Sequence, residues 1–322
     1  MRAMGVPAAG ALDKLGPVEI EPPAVGAGQV AVRVIAAAVN PADVKVMGGE
    51  FAGRLLHGRG KPLVTGYDFS GVVETRGDGV TDLADGAEVF GFLAYASANK
   101  QGSFAERIVI DRAAVAAKPP AISHATAAAS ATPGLTALQA LRDNARLKAG
   151  GRVLVIGAAG GVGSVGVGVA RALGAHVTGI CSTYAVDFVR ELGADEVVDR
   201  RQRDPRSLTG PFDAILDAAA AYSYASTRHM LAPDGAYVAT LPSASWLGGK
   251  LMTLASKRHC HVVVVQSIAA DLELLAGWMA GEAKLRVPID ATFPIRDLAK
   301  ALDRFAKGEL RGRIAIDVDG GW

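Results

Sequence analysis

Gly157-Ala158-Ala159-Gly160-Gly161-Val162-Gly163 is the stretch that decides the fold. It follows the apolar run Val153-Leu154-Val155-Ile156 and opens an Ala/Val-rich helical pattern over 164–173. Strand, glycine turn and helix in that order are what a dinucleotide-binding turn requires. Glycine permits the tight turn, lets backbone N–H groups approach a pyrophosphate, and lets the helix pack close to the sheet. The helix N-terminus adds unpaired donors and a partial positive charge. A glycine turn of purely structural use is the competing reading, and the flanking patterns favour the nucleotide site.

Downstream, strand patterns at His176–Cys181, Glu196–Asp199, 212–218, 236–241 and 260–265 alternate with helical patterns at 162–173, 184–192 and 222–231. Such alternation predicts a parallel sheet with crossover helices, a doubly wound domain. Upstream, residues 1–120 read as short strands broken by Pro and Gly. The strand over 29–39 ends at Asn40-Pro41, because proline supplies no ladder donor and restricts its predecessor. Further strands are expected within 66–74, 86–92 and 102–109. Residues 123–130 are alanine-rich, and Leu135, Leu138 and Leu141 carry helical spacing. After a helix over 271–281, the tail holds an extended stretch at 287–291, a helix over 295–307 and a strand over 313–318. That tail is expected to return to the first lobe. The predicted organisation is therefore a β-rich lobe of 1–122 with 283–322, and a doubly wound lobe of 123–282.

The 322 residues are 50% hydrophobic and 20% charged, enough for two domains with sizeable cores. A formal net charge of +2 argues against nucleic acid as the main partner. The exception to an even charge distribution is the run Arg200, Arg201, Arg203, Arg206. No apolar stretch reaches membrane-spanning length, and residues 1–10 lack the layout of a secretory signal. Two cysteines, Cys181 and Cys260, cannot make a disulfide framework. The expectation is a soluble, reduced, cytoplasmic protein with no nucleic-acid and no membrane partner.

Several short strings, in this order and spacing, carry a resemblance. They are Asn40-Pro41-Ala42-Asp43, Gly66-Tyr67-Asp68-Phe69-Ser70-Gly71-Val72-Val73-Glu74, Gly134-Leu135-Thr136-Ala137 and the glycine turn. Cys181-Ser182-Thr183, Leu192-Gly193-Ala194-Asp195 and Gly312-Arg313 follow. Over nearly its whole length the chain resembles the medium-chain dehydrogenase/reductase superfamily, in its zinc-independent quinone-oxidoreductase branch that includes reticulon-interacting-protein-like members. The resemblance implies an α/β fold: a Rossmann doubly wound parallel sheet plus a discontinuous β-rich GroES-like catalytic domain. It also implies a homodimer, which the strand over 260–265 could form by pairing with its symmetry mate.

Zinc-dependent relatives place a Cys soon after the first core strand and a His in a Gly-His-Glu string. Here the corresponding places hold Asp43 or its neighbours and Tyr67, and no cysteine precedes Cys181. His259-Cys260-His261 does not repair this, because adjacent strand residues point to opposite faces. No catalytic zinc is expected.

The cofactor follows from the second strand of the doubly wound lobe. An NAD site carries an acidic residue there for the ribose 2′-hydroxyl, whereas Ser182-Thr183-Tyr184 offers hydroxyls. The resemblance also implies NADPH, although relatives often carry a basic residue where Tyr184 stands. Arg200 and Arg201 could supply that charge to the 2′-phosphate, or could belong with Arg203 and Arg206 to a solvated loop. Alongside Gly157, Gly160, Gly161, Val162 and Gly163, the resemblance places Thr132, Thr136 and Leu241 at the cofactor.

Without metal, the device available to stabilise charge on a substrate oxygen is a set of hydrogen-bond donors. Asn40, Tyr67 and Lys45 occupy family active-site positions. Each also has a plainer reading: a turn cap, an aromatic wall and a surface lysine. Asp43 is read as a helix cap. Phe51, Tyr95 and Trp246 are candidate pocket lining, and each could instead be ordinary core. Phe51 stands where mitochondrial-type enoyl-thioester reductases carry a tyrosine, and it has no proton to give. The leading expectation is hydride transfer from NADPH to a quinone or an α,β-unsaturated carbonyl. An enoyl-thioester reductase, with Arg54, Arg59 and Lys61 meeting a phosphorylated carrier arm, is one alternative. A non-catalytic NADPH-binding sensor or scaffold is another, since fold and cofactor site do not establish a substrate site.

Overall fold

Residues 1–50, 62–95, 101–241, 244–254 and 256–322 are described by the computed structural model of the chain. The first lobe opens with strands β1 (Arg2–Gly5), β2 (Gly16–Glu19) and β3 (Gln29–Ala38), then helix α1 (Pro41–Met47). It continues with β4 (Asp68–Arg76), β5 (Glu88–Phe92), β6 (Arg107–Asp111) and β7 (Val115–Ala117). The long helix α2 (His124–Leu138) leads out of it.

Next come β8 (Arg152–Ile156), α3 (Gly161–Ala172), β9 (His176–Cys181), α4 (Val186–Glu191) and β10 (Glu196–Asp199). They are followed by β11 (Phe212–Asp217), α5 (Tyr224–Thr227), β12 (Leu231–Ala239), α6 (Ala244–Met252), β13 (His259–Val262) and α7 (Ala269–Ala280). The tail supplies β14 (Ile289–Pro294), α8 (Leu298–Ala306) and β15 (Arg313–Asp317).

Strands β8 to β13 form a six-stranded sheet in the order β10-β9-β8-β11-β12-β13, with every pairing parallel. Strand order reverses between β8 and β11, and ligands of open α/β sheets bind in the crevice beyond the carboxyl ends of strands at such a point. Gly157 follows β8 directly, so the glycine turn stands at that crevice. A seven-stranded sheet runs β14-β15-β3-β4-β5-β7, with β6 on β3. Strand β15 lies antiparallel on β3, with Ala315 opposite Ala38, which joins the tail to the first sheet. The two-stranded sheet of β1 and β2 carried no sequence signal that the patterns above registered.

Helix α2 separates the two sheets. Ser123 caps it by accepting the Thr126 N–H at 3.1 Å, and every residue from Ala127 to Leu138 is buried. The alanine-rich composition follows from this burial on all sides. A Cβ on Gly134 would stand 2.8 Å from Leu275 Cδ1. Past Leu138 the helix widens into a π-helical turn over Gln139–Asn144, a form that often marks functional sites.

Several segment boundaries moved, among them the strand expected over 236–241, which is Leu231–Ala239, and the one expected within 102–109, which is Arg107–Asp111. The helix expected over 222–231 is one turn of α-helix and one of 3-10 helix, because Leu231 pairs with Phe212 in the sheet. The last strand of that sheet stops at Val262 rather than 265. Among the described residues no helix is long and apolar enough to cross a membrane.

Candidate functional site

The glycine turn has the geometry its spacing predicts. Gly157 adopts φ +77°, and a Cβ there would stand 2.8 Å from Ala219 Cβ. A Cβ on Gly163 would stand 2.1 Å from the Gly157 carbonyl oxygen, so only glycine lets the helix approach the turn. Gly160 is the N-cap of the twelve-residue α3, and Gly161 and Val162 lie in its first turn. Their N–H groups line a cradle suited to a pyrophosphate.

The wall facing this cradle comes from the other lobe. A Cβ on Gly161 would lie 3.0 Å from Arg313 Cδ and 3.2 Å from its Nη1. The Arg313 Nε is buried and has no hydrogen-bond partner among the described residues. A buried, orphaned guanidinium N–H against the cradle is a donor waiting for an anionic ligand. The donor set and the glycine geometry both fit a dinucleotide.

Behind Arg313 lies a buried polar centre. Asp68 opens β4 and Arg313 opens β15, and their side chains are 0% and 4% exposed. Arg313 Nη2 donates to Asp68 Oδ2 and, at 3.1 Å, to Asn40 Oδ1. Asn40 Nδ2 donates to Asp68 Oδ2 at 3.0 Å. The Thr132 amide donates to Asp68 Oδ1 at 2.8 Å, and the Thr132 hydroxyl donates to the same oxygen. Burial holds the Asp68 carboxyl above its usual range, with the Arg313 charge and the Thr132 and Asn40 donors opposing it in part. Every one of these neighbours donates, so the arrangement suits the ionised carboxylate.

Asp43 supports this centre from below. The Asn40 N–H donates to its Oδ2 at 2.7 Å and the Gly66 N–H to its Oδ1 at 2.8 Å. One carboxyl therefore caps α1 and fixes the turn before Tyr67 and Asp68, in keeping with its reading as a helix cap. Burial pushes Asp43 up to about 7 despite those two donors.

The structure brings Asn40, Tyr67, Tyr95 and Thr132 together. Tyr67 is 0% exposed and packs edge-on against Tyr95 with ring centroids 4.6 Å apart. Tyr95 also packs edge-on against Phe92, at 4.9 Å. Burial pushes both phenols up, so both stay protonated. Asn40 is 2% exposed, so a substrate reaches it or Tyr67 only if neighbouring side chains shift. Lys45 is half-buried in the last turn of α1.

Thr136 lies one turn beyond Thr132 on α2 and is also buried. Trp246 packs apart from these, against the core of Tyr224, Tyr237 and Cys260. Phe51, Arg54, Arg59 and Lys61 lie outside the described residues.

At the far end, Arg200 Nε donates to Ser182 Oγ at 2.9 Å. Thr183 and Tyr184 form the turn after β9. Arg311 Nη2 donates to the Tyr184 carbonyl at 2.6 Å, and the Tyr184 hydroxyl donates to the Leu310 carbonyl at 3.4 Å. A groove of about 340 Å³ lined by Arg200, Arg201, Arg203, Arg206 and Tyr222 opens beside them. Leu241, just past β12, is exposed.

The segment Leu310-Arg311-Gly312-Arg313 thus runs the length of the site. It touches Tyr184, accepts no gap at the glycine turn because the Gly312 N–H donates to the Ala159 carbonyl at 3.0 Å, and ends on Asp68. The sequence reading did not single out Asp68, Arg313 or Arg311 for function. A usable signal existed: opposite charges at the heads of two apolar strands, Asp68 before Phe69 and Arg313 before Ile314.

His259 and His261 stack on one face of β13 with rings 5.8 Å apart, and Cys260 is buried. Among the described residues no group of three His, Cys, Asp or Glu side chains is placed to hold a metal ion.

Comparison with known proteins agrees with this geometry. Residues 26–120 match the profile of the alcohol dehydrogenase GroES-like domain, and residues 192–316 that of a zinc-binding dehydrogenase domain. The chain is 33% identical to the trans-enoyl reductase pgmF of Aspergillus terreus, over 92% of this chain and 88% of that one. It is 30% identical to the chloroplastic quinone-oxidoreductase homolog of Spinacia oleracea, over 96% and 95%. Identity to the mitochondrial NAD(P)H oxidoreductase RTN4IP1 of Homo sapiens is 33%, over 90% and 82%. The quinone oxidoreductase of Coxiella burnetii superposes with a TM-score of 0.87 at 27% identity, covering 99% of each chain.

Proposed function

The chain belongs to the medium-chain dehydrogenase/reductase superfamily, among its quinone-oxidoreductase-like members, and we propose that it reduces a quinone or an activated C=C bond with NADPH and without metal. The observation that carries this reading is the Asp68–Arg313 pair with Asn40 and Thr132, set against the glycine cradle. When bound, a reduced nicotinamide supplies a hydride. Everything else falls to the chain's own side chains.

The donors at this centre do not fit zinc. They are an amide, a hydroxyl, a phenol and one carboxylate already engaged by a guanidinium. Zinc wants thiolates, imidazoles or free carboxylates in convergent geometry. The zinc-binding name of the matched profile therefore does not transfer to these residues.

For the cofactor, the Arg313 Nε and the α3 N-terminus face the pyrophosphate position. Arg200 and Arg311 flank Ser182 and Tyr184, and two guanidinium groups with hydroxyls suit a 2′-phosphate better than a bare ribose. That supports NADPH over NADH. Gly157, Gly160, Gly161, Val162 and Gly163 hold the middle, with Thr132 and Thr136 at the nicotinamide end and Leu241 at the rim.

At the reacting end, Asn40 has one amide hydrogen on Asp68 and a second, without an acceptor among the described residues, to offer a substrate oxygen. Tyr67, kept protonated by burial and by the Asp43 charge, is the partner donor. Lys45, half-buried in the last turn of α1, is the third residue we assign to this end. Hydrogen-bond donors in a dry site are the usual means of stabilising a developing oxyanion, here once neighbouring side chains have shifted to admit the substrate.

The lobes are 1–122 with 283–322, and 123–282, a division supported by the return of β14 and β15 to the first sheet. A homodimer through β13 is supported by its position at the sheet edge and by exposed Leu247, Leu251, Leu254 and Val264 nearby. A reducing compartment such as the cytoplasm suits the free Cys181 and Cys260.

A second reading, reduction of an enoyl thioester, is favoured by the likeness to a trans-enoyl reductase. One assay tests both. NADPH oxidation is followed with a naphthoquinone, a simple enone and crotonyl-CoA. Turnover of the quinone or enone supports the main reading, and turnover confined to crotonyl-CoA replaces it with the second.

A further inference from the structure

We infer that Ser267 is a positioning residue for the acceptor: through its hydroxyl the doubly wound lobe holds the end of β5, and with it the aromatic side chains packed on Tyr67. The inference rests on the reading above that places Tyr67 at the acceptor, and adds what keeps it in place.

Strands β5 and β7 pair antiparallel at Val89–Ala117, Phe90–Ala116 and Gly91–Val115. One position further, the same register would join the Phe92 N–H to the Ala114 carbonyl. Ser267 stands in that rung instead. Its Oγ accepts the Phe92 N–H at 3.3 Å and donates to the Ala114 carbonyl at 2.8 Å. A hydroxyl is donor and acceptor at once, so one side chain satisfies both backbone groups. Ser267 lies between β13 and α7, so a residue of one lobe completes the sheet of the other.

The connector that carries Ser267 is gripped from α2. Gln139 Oε1 accepts the Gln266 N–H and Gln139 Nε2 donates to the Gln266 carbonyl, both at 2.9 Å. The second Nε2 hydrogen goes to Asp271 Oδ2 at 3.0 Å, and Arg142 Nη1 donates to Asp271 Oδ1 at 2.6 Å. Gln139 is buried and opens the π-helical turn past Leu138. A carboxamide bound to both polar groups of Gln266 fixes where the next residue, Ser267, stands.

From Ser267 the constraint passes directly to Tyr67. The Leu93 N–H donates to the Tyr67 carbonyl at 2.8 Å. The Phe92 ring packs edge-on against Tyr95, and Tyr95 packs edge-on against Tyr67. Both the backbone and the ring of Tyr67 thus lean on the segment that Ser267 holds. The cofactor cradle is built elsewhere, from the glycine turn, the α3 N-terminus and Arg313. Loss of the Ser267 hydroxyl should therefore reach the acceptor and spare the cofactor.

The test compares the full-length protein with Ser267→Ala, Ser267→Thr and Gln139→Met. Steady-state rates are measured with NADPH against a naphthoquinone and an enone, NADPH affinity by fluorescence titration, and thermal stability alongside. A reacting group misplaced by a remote change can cost on the order of 10²-fold in rate. Ser267→Ala is expected to lower acceptor kcat/KM by about 10- to 100-fold while NADPH Kd stays within about twofold. Ser267→Thr keeps the hydroxyl and is expected to return kcat/KM to within about threefold of the unmodified protein. Gln139→Met frees the connector without touching β5, and is expected to lower acceptor kcat/KM by about three- to tenfold.

A lower melting temperature in Ser267→Ala with unchanged kcat/KM would make the hydroxyl a structural tie alone and overturn the inference. Equal losses in acceptor turnover and NADPH affinity overturn it too, as does a Ser267→Thr protein as slow as Ser267→Ala. If Ser267→Ala does not fold, Gln139→Met decides by the same readouts. In each of these cases the reductase reading stands. An unmodified protein that oxidises NADPH with neither acceptor removes that reading, and this inference with it.

Discussion

Arg313 and Asp68 lie 245 positions apart in sequence and form an ion pair whose side chains are 4% and 0% exposed. Removing one partner of such a pair strands a buried charge at a cost of about 3–5 kcal/mol. Asp68→Asn and Arg313→Met are each expected to lower unfolding free energy by about that amount. The double variant is expected to lose less than the sum of the two, as coupled neighbours do. Urea unfolding of the four proteins decides it, and strict additivity would show that the pair is not coupled.

Asp43 sets a pH dependence. Its carboxyl is held at about 7 in the folded chain, against 3.8 for the free group. Between those values the folded state keeps a proton that the unfolded state has lost. Asp43's contribution to stability therefore falls as pH rises through that window and is level above it. Asp43→Asn is expected to flatten the decline, so the gap between variant and unmodified urea midpoints at about pH 4.5 differs from that at about pH 8. Parallel midpoints at both values would contradict the titration.

Arg200 is the residue proposed to set the preference for NADPH. Hydrogen bonds to a charged group contribute about 1.5–3 kcal/mol, or roughly 10- to 150-fold in affinity. Arg200→Ala is expected to weaken NADPH binding by about that factor and to leave NADH binding within about threefold. Fluorescence titration with both nucleotides measures it. An equal loss for the two would place Arg200 away from the 2′-phosphate.

Gly161 tests the contact between the lobes. A Cβ there meets Arg313 at 3.0 Å, and the flexible arginine can yield. Gly161→Ala is expected to fold, with a melting temperature within a few degrees of the original. It is also expected to weaken both nucleotides alike, because the displaced group is the one proposed to meet the pyrophosphate they share. Unchanged affinity would separate Arg313 from the cofactor.

Much of this architecture was legible before any coordinates. The glycine turn between an apolar run and a small-residue helix located the crevice, and the alternation after it implied the parallel sheet that β8 to β13 form. The apolar strand at the tail implied the return of β15 to β3. Less legible was anything depending on long-range pairing. Asp68 and Arg313 are charged residues in strands, and their burial becomes sensible only once β4 and β15 bring them to the same point. Tyr95 read as pocket lining or core, and it packs edge-on against Tyr67 and Phe92. Trp246 read the same way, yet it packs in the core beside Tyr224 and Tyr237.

The most direct measurement is NADPH oxidation by the protein after exhaustive treatment with a metal chelator, with a naphthoquinone and an enone as acceptors and NADH in parallel. The expected result is undiminished turnover of at least one acceptor, with NADPH preferred by a factor of ten or more. Activity lost with the chelator and restored by zinc would contradict a metal-free centre built on Asp68 and Arg313. Absence of NADPH oxidation with every acceptor would contradict the reductase itself.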